Sequence, residues 1–263
     1  MTEHACATSP TIQAWLENRH GQLALERLRE LIVEMTKNWR ANSRVLICGH
    51  LLHYFAPALA GAGFQVTCAG ETPQIARAGK LNDKRLDLHI APLDHLPFSR
   101  HEFDATLVLL AFSPRLPLPA VQQEIQRVTR REAVLTALNR SSLFYRKRHV
   151  LGPEADSLQW VTWREIKDQL YDPERIALQK RSILQGSPAT WALCPRQLDN
   201  LPLPLGAFLA VRATLRRKRL KTPLIEKIKE HALLQTNQSE VYNRSNLGRH
   251  SSSLSCQSKD LSA

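Results

Sequence analysis

The chain has 263 residues with 43% hydrophobic residues, 23% charged residues and a net charge of +12, a composition typical of a folded protein and not of a wholly disordered one. No apolar run approaches the roughly 18 residues of a membrane-spanning helix, and the first residues lack the basic flank and apolar stretch of a secretory signal. The five cysteines lie far apart without a CxxC pair, which disfavours a disulfide framework or zinc knuckle and predicts a reducing, cytoplasmic location.

Helical and strand-like patterns alternate along most of the chain. Apolar residues at helical spacing predict an amphipathic helix over 11–39, with a break near Gly21. Strands are predicted over 44–49, 64–69, 86–91, 103–110, 132–138, 175–184 and 206–211, and helices over 54–60, 72–80, 119–128 and 163–170. Thr72 is expected to cap the helix in which Pro73 occupies the first turn. This alternation predicts a mostly parallel sheet with helices on both faces.

The positive charge is concentrated after the last predicted strand. The stretch from Arg212 to the end contains 11 basic and 4 acidic residues. Its densest part consists of Arg216, Arg217, Lys218, Arg219 and Lys221. Such a run attracts nucleic acid or an anionic surface, although charge runs are also common in solvated tails. We therefore predict three regions: a helical segment over 1–40, an α/β domain over 41–213, and a basic, largely disordered tail over 214–263.

Several phrases occur in an order that is typical of one enzyme family. Residues 45–67, VLICGHLLHYFAPALAGAGFQVT, look like a strand, a glycine loop, a helix and a second strand. LPF at 96–98 precedes Phe103-Asp104, and EIQRV at 124–128 precedes the fifth strand; NRSSL at 139–143 and GAFL at 206–209 follow. Together these phrases resemble class I S-adenosylmethionine-dependent methyltransferases over residues 12–213. The resemblance implies a Rossmann-like, seven-stranded, mostly parallel sheet with helices on both faces.

The resemblance also implies where ligands bind. S-adenosylmethionine would lie at the carboxyl ends of the first strands, at Gly49, His50, Leu51, His53, Gly70, Glu71 and Asp94. A small-molecule methyl acceptor would lie beside it, under the loops after strands four and five and the N-terminal helices. Asn139 and Ser141 would orient that acceptor or, equally, cap the next helix. No catalytic residue is predicted, and no metal site, since Cys48, His50 and His53 have no common zinc spacing.

The residues that should hold the cofactor depart from the family's pattern. Its first loop reads acidic–x–Gly–x–Gly–x–Gly, whereas the aligned positions here are Ile47, Gly49, Leu51 and His53. Gly70 stands where the second strand should end in an acid. Three explanations remain open: a methyltransferase with a weaker cofactor loop, an inactive methyltransferase-fold protein that binds or assembles with a partner, and a pocket refitted for another ligand.

Overall fold

The computed structural model describes residues 10–110, 113–170, 176–193 and 205–215. The chain divides into two compact units, 1–216 and 217–263, and the described residues all belong to the first. The predicted tail, including its basic run from residue 216, lies outside the described residues apart from its first two positions. Among the described residues, no helix is both long and apolar enough to cross a membrane.

Among the described residues, eight strands and seven α-helices follow one another along the chain. The strands are β1 (Arg44–Gly49), β2 (Gln65–Gly70), β3 (Leu86–Ile90), β4 (Phe103–Leu109), β5 (Thr129–Asn139), β6 (Trp160–Val161), β7 (Ile176–Ile183) and β8 (Phe208–Leu215). The helices are α1 (Pro10–Glu17), α2 (Arg19–Thr36), α3 (Leu52–Gly61), α4 (Thr72–Gly79), α5 (Leu118–Val128), α6 (Leu143–Arg146) and α7 (Trp163–Leu170). Short 3₁₀ helices cover Arg148–Leu151, Pro153–Ser157 and Pro188–Leu193.

The strands form one mixed sheet in the order β3-β2-β1-β4-β5-β8-β7, and the two-residue β6 pairs with β5 beside this path. Strands β1 to β5 are parallel, whereas β8 is antiparallel to both β5 and β7. The predicted mostly parallel, seven-stranded sheet with helices on both faces is therefore confirmed, with β6 as a short addition.

Each face of the sheet has its own apolar core. Along β1, Val45 and Ile47 pack under α1, α2, α3 and α4, while Leu46 and Cys48 pack on the opposite face with α5 and α7. This alternation follows from the two-residue period of a strand. Because α1 and α2 contribute to the same core as β1, the N-terminal helices cover one face of the sheet; the predicted division at residue 40 stays a prediction.

Two local predictions are wrong in detail. The first helix breaks at Asn18 and not at Gly21, because the Asn18 side chain caps α2 by accepting from the N–H groups of His20 and Gly21. Glu71, and not Thr72, is the N-cap residue of α4, and it makes no capping hydrogen bond with its side chain. In addition, β8 continues to Leu215, two residues past the predicted boundary at 213.

Candidate functional site

The predicted cofactor residues meet at the carboxyl edge of the sheet. Strands β1 and β4 are neighbours, although β2 and β3 follow β1 in sequence, so the strand order reverses there. Open α/β sheets bind ligands at such a reversal, outside the carboxyl ends of the strands. The loop after β1 begins at Gly49, which pairs with Leu109 of β4, and β2 ends one strand away at Gly70. The sequence therefore predicted the position of this edge, although not its internal arrangement.

The backbone of the first loop adopts two left-handed conformations. Gly49 has a φ of 106°, and a Cβ at this position would overlap the carbonyl oxygen of Leu109 and lie 2.9 Å from its carbonyl carbon. Leu51, the N-cap of α3, has a φ of 61°, which costs a non-glycine residue about 1–2 kcal/mol. Its side chain is buried in the core, and full burial of a leucine stabilises by about 1.5–3 kcal/mol. Leu51 can therefore adopt a backbone conformation that favours glycine, because burial of its side chain offsets the strain.

His50 connects this loop to the beginning of α4. Its imidazole is only 5% exposed, and its Nε2 lies 2.8 Å from Nε2 of Gln74, which is also buried. The amide nitrogen of Gln74 can only donate, so the imidazole Nε2 accepts and the neutral ring carries its proton on Nδ1. The contact joins the loop after β1 to the first turn of the helix after β2.

The end of β2 is covered by neighbouring side chains. A Cβ built on Gly70 would lie 3.3 Å from Cδ1 of Leu52, 3.4 Å from the carbonyl oxygen of Gly49 and 3.6 Å from Cβ of Gln74. Leu52 is fully buried. A carboxylate at position 70 would therefore require Leu52 to move. We refer to His50, Leu52 and Gln74 as the closing residues.

Three further predicted cofactor residues lie in the segments that follow β1, β2 and β3. Glu71 is half-buried and Asp94 is exposed. The ring of His53 is half-buried and packs at a centroid distance of 4.2 Å from the ring of Tyr54. Burial, and to a smaller extent the positive charge of Arg77, lowers the pKa of His53. Glu71 directly follows Gly70 at the end of β2, and the roles of Glu71, His53 and Asp94 towards the cofactor stay predictions.

The residues present do not fit S-adenosylmethionine as the resemblance implies. The family's loop acid is replaced by Ile47, which is fully buried in the core. At Gly70, where a carboxylate should accept two ribose hydroxyls, the space beside the backbone is bounded by Leu52 and Gln74. Two hydrogen-bond acceptors for the cofactor are thus missing, and apolar or already paired side chains stand in their place.

Burial makes His50 a source of pH-dependent stability. Desolvation, and secondly the charge of Arg77, lowers the pKa of His50 to about 4 from its ordinary value of 6.5. Because the unfolded chain then binds the proton more readily, this contribution is fully present above pH 6.5 and is lost as the pH falls towards 4. We expect wild-type stability to fall by about 2–3 kcal/mol more than that of His50→Gln between about pH 7.5 and pH 4.5.

Urea unfolding of both proteins at the two pH values measures this difference, and the comparison cancels the contributions of the other titratable groups. Equal losses in wild type and His50→Gln would contradict the buried, neutral state of His50.

The cysteines near the loop are buried and unreactive in character. Burial raises the pKa of the Cys48 thiol strongly and raises that of Cys68 to about 12. A thiolate, which is the form that binds metals and attacks electrophiles, is therefore strongly disfavoured at both positions. The part of the chain that the structure describes contains no group of three or more His, Cys, Asp or Glu side chains suited to a metal ion.

The residues after β5 hold the chain and cap a helix. The Asn139 side chain is fully buried; it donates to the carbonyl oxygen of Gly206 at 2.7 Å and accepts from the N–H of Ser141 at 3.0 Å. Ser142, and not Ser141, caps α6 through its hydroxyl, which accepts from the N–H of Tyr145. Ser141 itself is exposed. The Asn139 side chain thus connects the end of β5 to the residues just before β8. Its role in orienting a methyl acceptor stays a prediction.

An aromatic cluster that the sequence did not predict lies beside these residues. It consists of Trp15, Phe144, Trp160, Trp191 and Phe208, each no more than 5% exposed. The ring of Phe144 is central, with centroid distances of 5.7 Å to Trp15 and Trp160, 5.0 Å to Trp191 and 6.5 Å to Phe208. The cluster joins α1, the segment after β5 and the start of β8. Two of these parts, α1 and the segment after β5, are among those that the resemblance places around a methyl acceptor.

Comparisons with known proteins identify the fold. No family model matches the chain, and no curated protein matches it. Among solved structures, a putative methyltransferase from Haloferax volcanii in complex with the Trm112 methyltransferase activator is 12% identical, with 79% of this chain and 98% of that chain covered and a TM-score of 0.58.

Two further solved structures are methyltransferases. A possible histamine N-methyltransferase from Thermotoga maritima is 16% identical over 77% of this chain and 93% of its own, with a TM-score of 0.55. Magnesium protoporphyrin IX methyltransferase from Synechocystis, solved with bound S-adenosylhomocysteine, is 13% identical over 74% of this chain and 83% of its own, with a TM-score of 0.51. At these identities the similarity concerns the fold alone, and the described part of the chain has the class I methyltransferase fold.

Proposed function

We propose that the chain is a methyltransferase-fold binding protein that does not use S-adenosylmethionine. The observation that carries the proposal is the contact between His50 and Gln74 at 2.8 Å, which joins the first loop to α4 across the end of β2. Cofactor binding at this edge would have to separate two buried polar groups that satisfy each other. Leaving such a group unpaired costs about 1–3 kcal/mol.

The region in which the resemblance places the methyl acceptor supports the same proposal. Phe144, Trp191 and Phe208 are fully buried and pack against one another at centroid distances of 5.0 Å and 6.5 Å from Phe144. Side chains in such packing leave few voids larger than a water molecule. Room for a methyl acceptor beside Asn139 would therefore require the aromatic cluster to rearrange. In the proposed protein, the chain's own side chains occupy both halves of the family's ligand region.

The second candidate is an active methyltransferase with an altered cofactor loop. The left-handed backbone at Gly49 and Leu51 favours it, because this loop still turns as a ligand-binding loop does. The reported structural neighbours are methyltransferases, and one of them holds S-adenosylhomocysteine. In this case the small-molecule acceptor would be held near Asn139 and Ser141, and the closing residues would move apart when the cofactor binds.

Calorimetric titration of the full chain separates the two candidates. We expect neither S-adenosylmethionine nor S-adenosylhomocysteine to give saturable heat up to about 1 mM, which corresponds to a binding free energy weaker than about −4 kcal/mol. Circular dichroism of the same sample controls for folding. Saturable binding of either compound below about 1 mM would overturn the proposal and favour the second candidate.

A further inference from the structure

A cleft of about 900 Å³ lies between α2, α3 and the 3₁₀ helix Pro188–Leu193. Its volume is within the range of about 300–1,000 Å³ that small-molecule sites occupy. The lining residues come from positions 19–29 of α2, the first turn of α3 and the 3₁₀ helix. They include none of the seven predicted cofactor residues and none of the closing residues. The cleft therefore has its own lining residues, although it adjoins the predicted cofactor region, since Tyr54 packs on His53.

Much of the cleft is apolar. Leu25 and Phe55 are buried and belong to the core, so they form a rigid apolar base. Leu23 and Tyr54 are partly buried against the same core. Leu193, by contrast, is 82% exposed at the cleft. An apolar body bound along these side chains would remove the leucine from water, which is favourable at about 25 cal/mol per Å² of apolar surface.

Two arginine side chains give the mostly apolar cleft a positively charged part. Arg19 and Arg29 line the cleft and are exposed, and neither forms an ion pair with any residue that the structure describes. They are ten residues apart on α2, which at the helical rise per residue is about 15 Å. Glu26 is the acidic residue of the lining, so the arginines leave an excess of positive charge. Arginine is well suited to pair with a carboxylate, which it can hold through two parallel hydrogen bonds.

We propose that this cleft binds an elongated organic anion, in which an apolar chain lies along Leu23, Tyr54 and Leu193 and a terminal carboxylate pairs with an arginine of α2. The inference rests on the proposed function, which it deepens by naming the class of ligand. Two features of the same cleft support it: the positive charge of Arg19 and Arg29, which complements an anion, and the exposed apolar side chain of Leu193. A neutral molecule of the same length would leave both guanidinium groups without a partner in the ligand.

Dodecanoate is a probe of this chemistry, and dodecanol is its neutral counterpart. In calorimetric titration of the full chain we expect saturable 1:1 binding of dodecanoate below about 1 mM and at least roughly tenfold weaker binding of dodecanol. The double variant Arg19→Gln/Arg29→Gln should bind dodecanoate about tenfold more weakly than wild type. Glu26→Gln should bind it more tightly, because a like charge is removed from the cleft.

The matched control is Arg100→Gln/Arg131→Gln, which removes the same charge from two exposed arginines outside the cleft and should leave binding unchanged. The absence of saturable dodecanoate binding, equal affinity for dodecanol, or wild-type affinity in the cleft double variant would each overturn the inference. The two proposals fail separately: binding of S-adenosylmethionine contradicts the proposed function, whereas the absence of dodecanoate binding contradicts only the assignment of this cleft.

Discussion

Replacing Gly49 with alanine should destabilise the protein more than any other single methyl addition to the first loop. The added Cβ would overlap the carbonyl oxygen of Leu109, a main-chain atom at the end of the central strand β4 that cannot rotate away as a side chain can. A positive φ at a non-glycine residue costs about 1–2 kcal/mol, and forcing an extra methyl group into a packed region costs about 1–3 kcal/mol. We therefore expect a loss of about 2–5 kcal/mol, or roughly 5–20 °C in melting temperature.

Gly63→Ala is the matched control for this prediction. Gly63 has a similar positive φ of 86°, but a Cβ there would have no heavy atom within 4 Å. Only the backbone cost of about 1–2 kcal/mol should remain. Thermal unfolding of both variants by circular dichroism measures the difference. If Gly49→Ala melts at or above the temperature of Gly63→Ala, the close approach of the first loop to β4 is contradicted.

Phe144→Ala should be the second strongly destabilising change. The phenylalanine ring is fully buried and packs against Trp15, Trp160, Trp191 and Phe208. Truncating a buried phenylalanine to alanine costs about 3–5 kcal/mol, since the transfer free energy is lost and a cavity remains. We expect the free energy of unfolding, measured with urea, to fall by this amount.

Phe98→Ala provides the comparison, because Phe98 is half-buried and should lose clearly less stability. The cavity left by Phe144→Ala should be lined by aromatic side chains, and apolar cavities of this kind bind benzene. Benzene should therefore raise the melting temperature of Phe144→Ala and leave that of the wild type unchanged. A loss below about 1 kcal/mol, in the range of surface substitutions and not of core truncations, would show that the aromatic cluster is not packed as described.

The central strands of the sheet were predictable because they are marked by local signals. The strand β1 is a short apolar run ended by a glycine, and the structure has it at the predicted bounds, Arg44–Gly49. The fifth strand was predicted to begin at residue 132, but β5 begins at Thr129. Arg130 and Arg131 are exposed and lie at the register shift between the pairs Phe103–Thr129 and Ala105–Glu132, so no apolar pattern marks this start of the strand.

The interior of the candidate site was less predictable, because its contacts join distant parts of the chain. Loss of the glycines at Leu51 and His53 and of the acid at Gly70 could be seen in the sequence. The contact of His50 with Gln74 spans 24 residues, and Leu52 lay before the helix predicted over 54–60, whereas α3 begins at Leu52. The aromatic cluster brings Trp15 and Phe208 to the same ring of Phe144. Such contacts depend on how helices pack on the sheet, for which a single sequence has no local pattern.

The central claim, that His50 and Gln74 close the ligand edge of the sheet, is tested most directly by nuclear magnetic resonance of the His50 ring. We predict a pKa of about 4, a neutral ring protonated on Nδ1, and signals that do not change when S-adenosylhomocysteine is added to about 1 mM. A pKa near the ordinary value of 6.5, or His50 signals that shift in a saturable way with S-adenosylhomocysteine, would contradict the claim.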